Sequence, residues 1–120
     1  MSKPKKISYE RIEHDAPRVL VFRLAGSLRG SPQCFEFLET VRDDVRAGRV
    51  DVVLDFAGLD WMNSSGVGII AACFTSLKNA EGNLAVSGAN ERIRMLLEIV
   101  CLWDMVPHYE TEAEAVAALA

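Results

Sequence analysis

The chain has 120 residues, of which 50% are hydrophobic and 25% are charged, and its formal net charge is −4. This length fits one domain of ordinary size, and the composition excludes a disordered chain. The negative charge and the lack of a basic stripe disfavour a nucleic-acid-binding role, because phosphate contacts need clustered Lys and Arg side chains.

The first half of the chain predicts a tail, a hairpin, a helix and a further strand. Residues 1–6 contain three Lys and predict a flexible tail ahead of a single domain over residues 7–120. Apolar and β-branched runs predict the strands, and Ser31-Pro32 and Gly48 are start and end signals of a helix. In chain order we expect an edge strand over 7–13, a turn over 14–17, a strand over 18–25, a loop over 26–30, a helix between Ser31 and Gly48, and a strand over 50–56.

The second half of the chain alternates helices with short extended segments. We expect a helix over about 64–79, a turn over 81–83, a strand over 84–87, a helix capped by Asn90, an extended segment over 104–109, and a C-terminal helix opened by the capping box Thr111-x-x-Glu114. Strands that alternate with helices run parallel, and the first hairpin adds one antiparallel strand. The sequence therefore predicts an α/β fold with a mixed, mostly parallel sheet.

Membrane association and disulfide bonding are both disfavoured. No stretch is apolar over the roughly 20 residues that a membrane-spanning helix needs, and residues 1–6 lead into no signal-peptide core. The three cysteines are dispersed and form no Cys-x-x-Cys pair, and each falls on or beside the apolar stripe of a predicted helix. We therefore predict a cytoplasmic protein whose reduced cysteines are small buried hydrophobes: Cys34, Cys73 and Cys101.

Residues 60–68, Asp-Trp-Met-Asn-Ser-Ser-Gly-Val-Gly, are the most informative stretch of the sequence. An apolar run ends shortly before them and an amphipathic run begins within them, so Ser64 and Ser65 lie where a buried strand leads through a short loop into a helix. Helix N-termini present unpaired N–H groups and a partial positive charge. A serine at this place can cap the helix, accept a phosphate, or do both.

Catalytic interpretations of this stretch are weak. The Gly-x-Ser-x-Gly elbow of serine hydrolases is absent, and the only histidines are His14 and His108. A Gly-x-Gly-x-x-Ala pattern starts at Gly66, but about nine residues separate it from the predicted strand, where dinucleotide binding needs a tight turn. A Walker-type loop and a metal-ligand cluster are both absent from the sequence. We therefore predict no enzymatic activity, no catalytic residue, no metal and no cofactor.

Five segments with a recognisable pattern occur in order along the chain: 52–56 (Val-Val-Leu-Asp-Phe), 59–68 (Leu-Asp-Trp-Met-Asn-Ser-Ser-Gly-Val-Gly), 82–86 (Gly-Asn-Leu-Ala-Val), 94–97 (Arg-Met-Leu-Leu) and 102–106 (Leu-Trp-Asp-Met-Val). With these segments, the chain from about residue 19 to residue 119 resembles a STAS domain, the fold of bacterial anti-sigma-factor antagonists. The resemblance implies a single STAS-like domain whose mixed sheet has helices packed mainly on one face.

The resemblance also implies a regulatory site. The family's usual motif is Asp-Ser-Ser/Thr-Gly-Leu-Gly, and the hydroxyl directly after the Asp accepts a phosphate, which points here to Ser64, with Ser65 as the less favoured neighbour. The unphosphorylated antagonist would bind an anti-sigma factor that is also a GHKL-type serine kinase. Phosphorylation would end this binding, and a PP2C-type phosphatase would restore it. The implied partner-binding residues are Asn63, Ser64, Ser65, Gly66, Val67 and Arg29.

Two positions depart from the family pattern. Asn63 replaces the Asp before the acceptor, and Arg29 stands where the family's Gly-Glu-Leu-Asp loop has its Asp. Both changes remove negative charge, so one interpretation is that they favour the phosphorylated form, with Arg29 paired to phosphoserine. The opposite interpretation is a domain that is no longer phosphorylated and binds constitutively. An alternative function is a non-phosphorylated scaffold or accessory subunit, as in stressosome-like or lipid-transport complexes.

Overall fold

The computed structural model of the chain describes residues 6–15 and 18–119, which contain five strands and five helices. Most of the predicted flexible tail, and Ala16 and Pro17 of the predicted turn, lie outside these residues. In chain order the elements are β1 (Ser8–Glu13), β2 (Leu20–Leu28), α1 (Pro32–Arg46), β3 (Asp51–Met62), α2 (Ser64–Asn79), β4 (Asn83–Ser87), α3 (Glu91–Ile99), α4 (Leu102–Met105), β5 (His108–Tyr109) and α5 (Glu112–Ala118).

The five strands form one sheet in the order β1-β2-β3-β4-β5. β1 pairs with β2 in antiparallel orientation, and the three other pairs are parallel. The connection between each pair of parallel strands contains a helix, because parallel neighbours need a long crossover connection. The predicted mixed, mostly parallel sheet is confirmed, and β3 lies at its centre.

The two faces of the sheet carry cores of different size. Side chains that alternate along β3 point to opposite faces, so Val52 and Leu54 belong to the main core and Val53 belongs to a smaller one. The main core also contains the buried residues of α1, α2 and α3, whereas the smaller core receives only Ala115 of α5 as a buried helical residue. Helices therefore pack mainly on one face, as the resemblance implies.

The predicted ends of β2 and β3 are wrong. β2 continues through residues 26–28, which were expected to be a loop, and β3 runs six residues beyond the predicted end at Phe56. The pairing of the two strands shifts in register between Arg23 and Ala25 and again after Gly26, whose φ is +89°. Irregular pairing around glycine is typical of a bulge, which interrupts the alternating pattern without ending the strand. Both strands therefore reach the N-terminus of α2 directly.

The segment between α3 and β5 also differs from expectation. Residues 104–109 were predicted to be extended, but a short helix occupies Leu102–Met105 and β5 has only two residues. Cys101, predicted to be buried, is exposed and has a left-handed φ of 64° at the turn between α3 and α4. Cys34 and Cys73 are buried as predicted, and burial raises the pKa of the Cys73 thiol to about 12.

The C-terminal helix α5 is held on the second face of the sheet by an ion pair. The predicted capping residue is confirmed, since Thr111 Oγ1 accepts a hydrogen bond from the Glu114 N–H at 3.2 Å. The Arg23 guanidinium donates to both carboxylate oxygens of Glu112, at 2.7 and 2.9 Å. Hydrogen bonding to Arg23 outweighs partial burial and holds the pKa of Glu112 below its ordinary value.

Glu112→Gln should reduce the acid sensitivity of the fold. A carboxylate whose pKa is lower in the folded state stabilises the protein above its unfolded pKa of about 4.3, and this contribution is lost as pH falls through the folded pKa. We expect the thermal midpoint of the parent to fall more steeply below about pH 4.3 than that of Glu112→Gln. Circular dichroism melts over a pH series measure this difference, with the exposed Glu110→Gln as control. Equal pH dependence in the parent and Glu112→Gln would contradict the assignment.

Candidate functional site

The two serines lie at the start of α2, at the carboxyl end of the central strand. Asn63, in extended backbone conformation, is the N-cap of α2, and its Oδ1 accepts a hydrogen bond from the Gly66 N–H at 3.0 Å. Its carbonyl accepts the first intrahelical bond, from the Val67 N–H at 3.0 Å. The short loop expected between strand and helix is absent, because β3 ends at Met62 and Asn63 caps α2 directly. Asn63, rather than a serine, therefore satisfies the helix terminus.

Both serine side chains are exposed. Within residues 6–15 and 18–119, the hydroxyl of Ser64 takes part in no hydrogen bond, so its modification breaks no hydrogen bond of the described structure. Ser65 is more restricted, since a Cβ atom added at Gly30 would lie 2.7 Å from the Ser65 Cβ and 3.2 Å from its Oγ. The hydroxyl of Ser64 is thus the better placed of the two to be reached by another protein.

Gly66 holds the start of α2 against β2. An added Cβ atom at this position would lie 2.2 Å from the Leu28 carbonyl oxygen and 2.7 Å from the Met62 Cγ. The same Leu28 carbonyl accepts a hydrogen bond from the Asn63 N–H at 3.3 Å. This close approach of backbone to backbone fixes where the serines emerge, and it leaves no room beside Gly66 for the pyrophosphate of a dinucleotide.

Arg29 lies at the same edge of the sheet. It follows Leu28, the last residue of β2, which pairs with Met62, the last residue of β3. Its side chain is exposed, and none of the ion pairs found in the described part of the chain includes it. The structure therefore brings Arg29 to the edge at which Ser64 lies.

The six predicted partner-binding residues differ in accessibility. Ser64, Ser65 and Arg29 are exposed and Asn63 is half-buried, whereas Gly66 and Val67 are buried. Contact of these residues with a partner stays a prediction. Burial gives the last two a positioning role, because they anchor the helix start that presents the serines.

A wide groove beside the serines was not predicted. It has a volume of about 740 Å³ and is lined by Asp60 and Met62 of β3 and by residues of α3 that include Met95 and Ile99, which are 55% and 74% exposed. These two residues are four positions apart and lie off the buried face of α3, which contains Ile93 and Leu97. Two apolar residues at this spacing outside the buried face are the signal that could have identified the groove. Exposed apolar side chains around a groove are typical of an interaction surface.

The histidines are not placed for a catalytic triad with Ser64. His14 follows β1 at the opposite end of the sheet, and His108 lies in the edge strand β5, where its ring stacks on Trp103 at 3.7 Å. Among the described residues, no group of three or more His, Cys, Asp and Glu side chains could hold a metal ion. None of the helices found in these residues has the length and apolar character to cross a membrane.

Asn63→Ala should destabilise the protein, whereas Ser64→Ala should leave its stability nearly unchanged. The first variant removes the side-chain cap of α2, at a cost of about 0.5–2 kcal/mol. The second removes an exposed hydroxyl without a partner in the described structure. Urea unfolding at neutral pH measures both free energies. If Ser64→Ala proves the more destabilising of the two, Asn63 is not the cap.

Comparisons with known proteins place the chain in a family. The family model of the STAS domain matches residues 11–115. The chain is 30% identical over 110 residues to the anti-sigma-B factor antagonist of Listeria monocytogenes, covering 90% of this chain and 93% of that one. An anti-sigma factor antagonist from Mycobacterium paratuberculosis superposes with a TM-score of 0.82 at 22% identity, covering 99% and 98% of the two chains. The phosphorylated form of the Bacillus cell fate determinant SpoIIAA superposes with a TM-score of 0.74 at 20% identity, covering 94% and 100%. The protein is a member of the STAS domain family.

Proposed function

We propose that this protein is an anti-sigma-factor antagonist whose unphosphorylated form binds an anti-sigma factor and which is switched off by phosphorylation of Ser64. The observation that carries this proposal is an exposed hydroxyl at the first position of α2, with the helix capped by its neighbour Asn63. Two features of similar proteins support it: the Listeria relative is an anti-sigma-B factor antagonist, and SpoIIAA, which has the same fold, occurs in a phosphorylated form.

The fold can accept a phosphate at this place. The group adds a charge of about −1.5 to −2 at neutral pH. Backbone N–H groups and the dipole at the N-terminus of a helix favour such a charge by roughly 0.3–1 kcal/mol. Since Ser64 is exposed and has no hydrogen-bond partner in the described structure, the modified chain keeps its fold. The change is therefore confined to the surface that a partner would contact.

The groove beside Ser64 gives that surface its apolar part. Met62 lines the groove and lies two residues before Ser64, so a partner seated over Met95 and Ile99 would cover the serine as well. An apolar centre with a polar rim is the usual anatomy of a protein–protein interface. A phosphate at the rim would have to lose water or meet the partner's own charge, and either effect weakens binding.

The partner in this scheme is an anti-sigma factor that is also a GHKL-type serine kinase. The Ser64 Oγ attacks the γ-phosphorus of ATP bound to the kinase, so the new O–P bond forms as the bond to ADP breaks and the hydroxyl proton leaves to the kinase or to solvent. A PP2C-type phosphatase hydrolyses the O–P bond and regenerates the hydroxyl. The STAS protein is the substrate in both reactions and is not itself an enzyme.

A second candidate function is a scaffold or accessory STAS subunit that is never phosphorylated. One observation favours it: Asn63 is neutral and the first turn of α2 has no acidic residue, so the charge pattern of the family's usual site is absent. In that case the groove and the serines would pack permanently against a partner. The two functions differ in whether ATP ends the association.

A binding measurement tests the proposal. Purified unmodified chain is titrated by calorimetry against each GHKL-type anti-sigma factor encoded in the same genome, with Ser64→Ala as control. We expect one of them to bind both proteins and to release its sigma factor. On adding ATP, the complex with the parent should dissociate and the complex with Ser64→Ala should persist. Failure of every such partner to bind, or equal persistence of both complexes with ATP, would favour the scaffold.

A further inference from the structure

The edge of the sheet at Ser64 has a cation whose charge the described structure leaves unpaired. Arg29 is exposed, and no carboxylate of residues 6–15 or 18–119 lies within ion-pair distance of it. α2 has no acidic residue in its first turn, and its cap Asn63 is neutral. A phosphate on Ser64 would therefore be the only negative charge in the first turn of α2 that could pair with Arg29.

The backbone places Arg29 next to the acceptor serine. Leu28 and Met62 are register partners, and the Asn63 N–H donates to the Leu28 carbonyl at 3.3 Å. Neighbouring strands are about 4.8 Å apart, so the Arg29 backbone lies about one strand spacing from Asn63, the residue before Ser64. The long side chain of Arg can cross this spacing, and its guanidinium matches two phosphate oxygens at once.

The loop that carries Arg29 is held in place against α2. Gly30 has a φ of +75°, and its position leaves no room for a side chain because an added Cβ atom would lie 2.7 Å from the Ser65 Cβ. The next residue, Ser31, is the N-cap of α1. The backbone of Arg29 is therefore held between the last residue of β2 and a glycine packed on Ser65, so pairing with a phosphate at Ser64 would have to order only the side chain.

We propose that Arg29 is the counter-ion of phosphorylated Ser64, and that this pair prolongs the phosphorylated state by shielding the phosphate from a phosphatase. This inference rests on the proposed function for its biological meaning. The pairing itself depends only on a phosphate at Ser64, however it is installed. The helix N-terminus and Arg29 then hold the phosphate from two sides.

The test uses the full chain with phosphoserine incorporated at position 64 during translation, so it needs no kinase. The second pKa of the phosphate is about 6 and is read by ³¹P NMR titration. A neighbouring cation lowers this pKa, so Arg29→Gln should raise it by roughly half a unit or more. The matched control is Arg18→Gln, which removes the same charge from an exposed Arg at the other end of β2 and should leave the pKa unchanged.

A second measurement follows the rate at which a PP2C-type phosphatase removes the phosphate. We expect Arg29→Asp to be dephosphorylated at least about fivefold faster than the parent and Arg29→Lys at an intermediate rate, because Lys keeps the charge but loses the two-point contact. Equal shifts in the pKa for Arg29→Gln and Arg18→Gln, or an unchanged rate for Arg29→Asp, would overturn the inference. A phosphate that pairs with Arg29 but that no kinase installs would instead count against the proposed function alone.

Discussion

Ser64→Glu should weaken binding to the anti-sigma factor by about a hundredfold or more. A carboxylate at this exposed position would have to be desolvated or repelled in the interface, and a loss of about 2.7 kcal/mol corresponds to a hundredfold change in Kd. Glu carries one negative charge and phosphoserine up to two, so the phosphorylated chain should bind more weakly still. Calorimetric titration of the parent, Ser64→Ala and Ser64→Glu gives the three affinities, and Ser64→Ala should match the parent.

The specificity of that effect is tested within the same helix. Thr75 is an exposed residue of α2, three turns beyond Ser64, so Thr75→Glu adds the same charge far from the serine pair. We expect this variant to bind within about threefold of the parent, since screening by salt weakens the interaction of charges that are more than about 10 Å apart. Equal losses of affinity in Ser64→Glu and Thr75→Glu would show that net charge, and not the site, controls binding.

Gly66→Ala should destabilise the whole fold by about 3 kcal/mol or more. The added methyl group would lie 2.2 Å from the Leu28 carbonyl oxygen, which belongs to the backbone of β2 and cannot move aside as a flexible side chain could. Overpacking of a filled site usually costs about 1–3 kcal/mol, and a clash with the backbone at the end of β2 lies at or above the upper end. The thermal midpoint should fall by roughly 10 °C.

Gly68→Ala is the matched control for Gly66→Ala. Gly68 lies two residues further along α2, is exposed, and has no atom within 4 Å of an added Cβ. Because Ala favours a helix over Gly by about 0.5–1 kcal/mol, this variant should be more stable than the parent. Differential scanning calorimetry of the two variants separates steric clash from helix propensity. Similar midpoints for both variants would contradict the close packing of α2 on β2.

The starts of α1, α3 and α5 were predicted well because capping depends on neighbouring residues. Ser31, Asn90 and Thr111 all precede helices in the structure, and the side chains of the last two accept the hydrogen bonds expected of caps. The capping residue of α2 was harder to predict, because Asn and Ser are equally good caps and Asn63 and Ser64 are adjacent. The choice between them depends on where β3 ends, and that is set by pairing with β2.

The ends of β2 and β3 could not be predicted from local pattern. Gly26 and Gly58 interrupt the apolar runs, and a glycine between apolar residues often indicates a turn. In the structure they are accommodated by register shifts between the two strands, which depend on residues more than 30 positions apart. The groove was missed for a similar reason, because Met95 and Ile99 become an exposed apolar surface only when α3 packs beside the end of β3.

Cys101 is exposed although it was predicted to be buried, and the sequence does not show the local reason. Three residues before it, Glu98 accepts a hydrogen bond from the Cys101 N–H through its backbone carbonyl, at 3.0 Å. The residue then takes a left-handed φ of 64°, which ends α3 and turns the thiol away from the apolar stripe. Gly and Asn are the residues usually found in this conformation, so a Cys here gave no signal of a turn.

Phosphate transfer to a single residue is the most direct test of the switch. The parent and Ser64→Ala are incubated with ATP and the anti-sigma factor that binds them, and intact and fragmented masses are recorded together with the amount of complex that remains. We expect one phosphate on the parent, located at Ser64, none on Ser64→Ala, and loss of the complex with the parent alone. A phosphate on another residue, or a chain phosphorylated at Ser64 that binds as tightly as before, would contradict the mechanism.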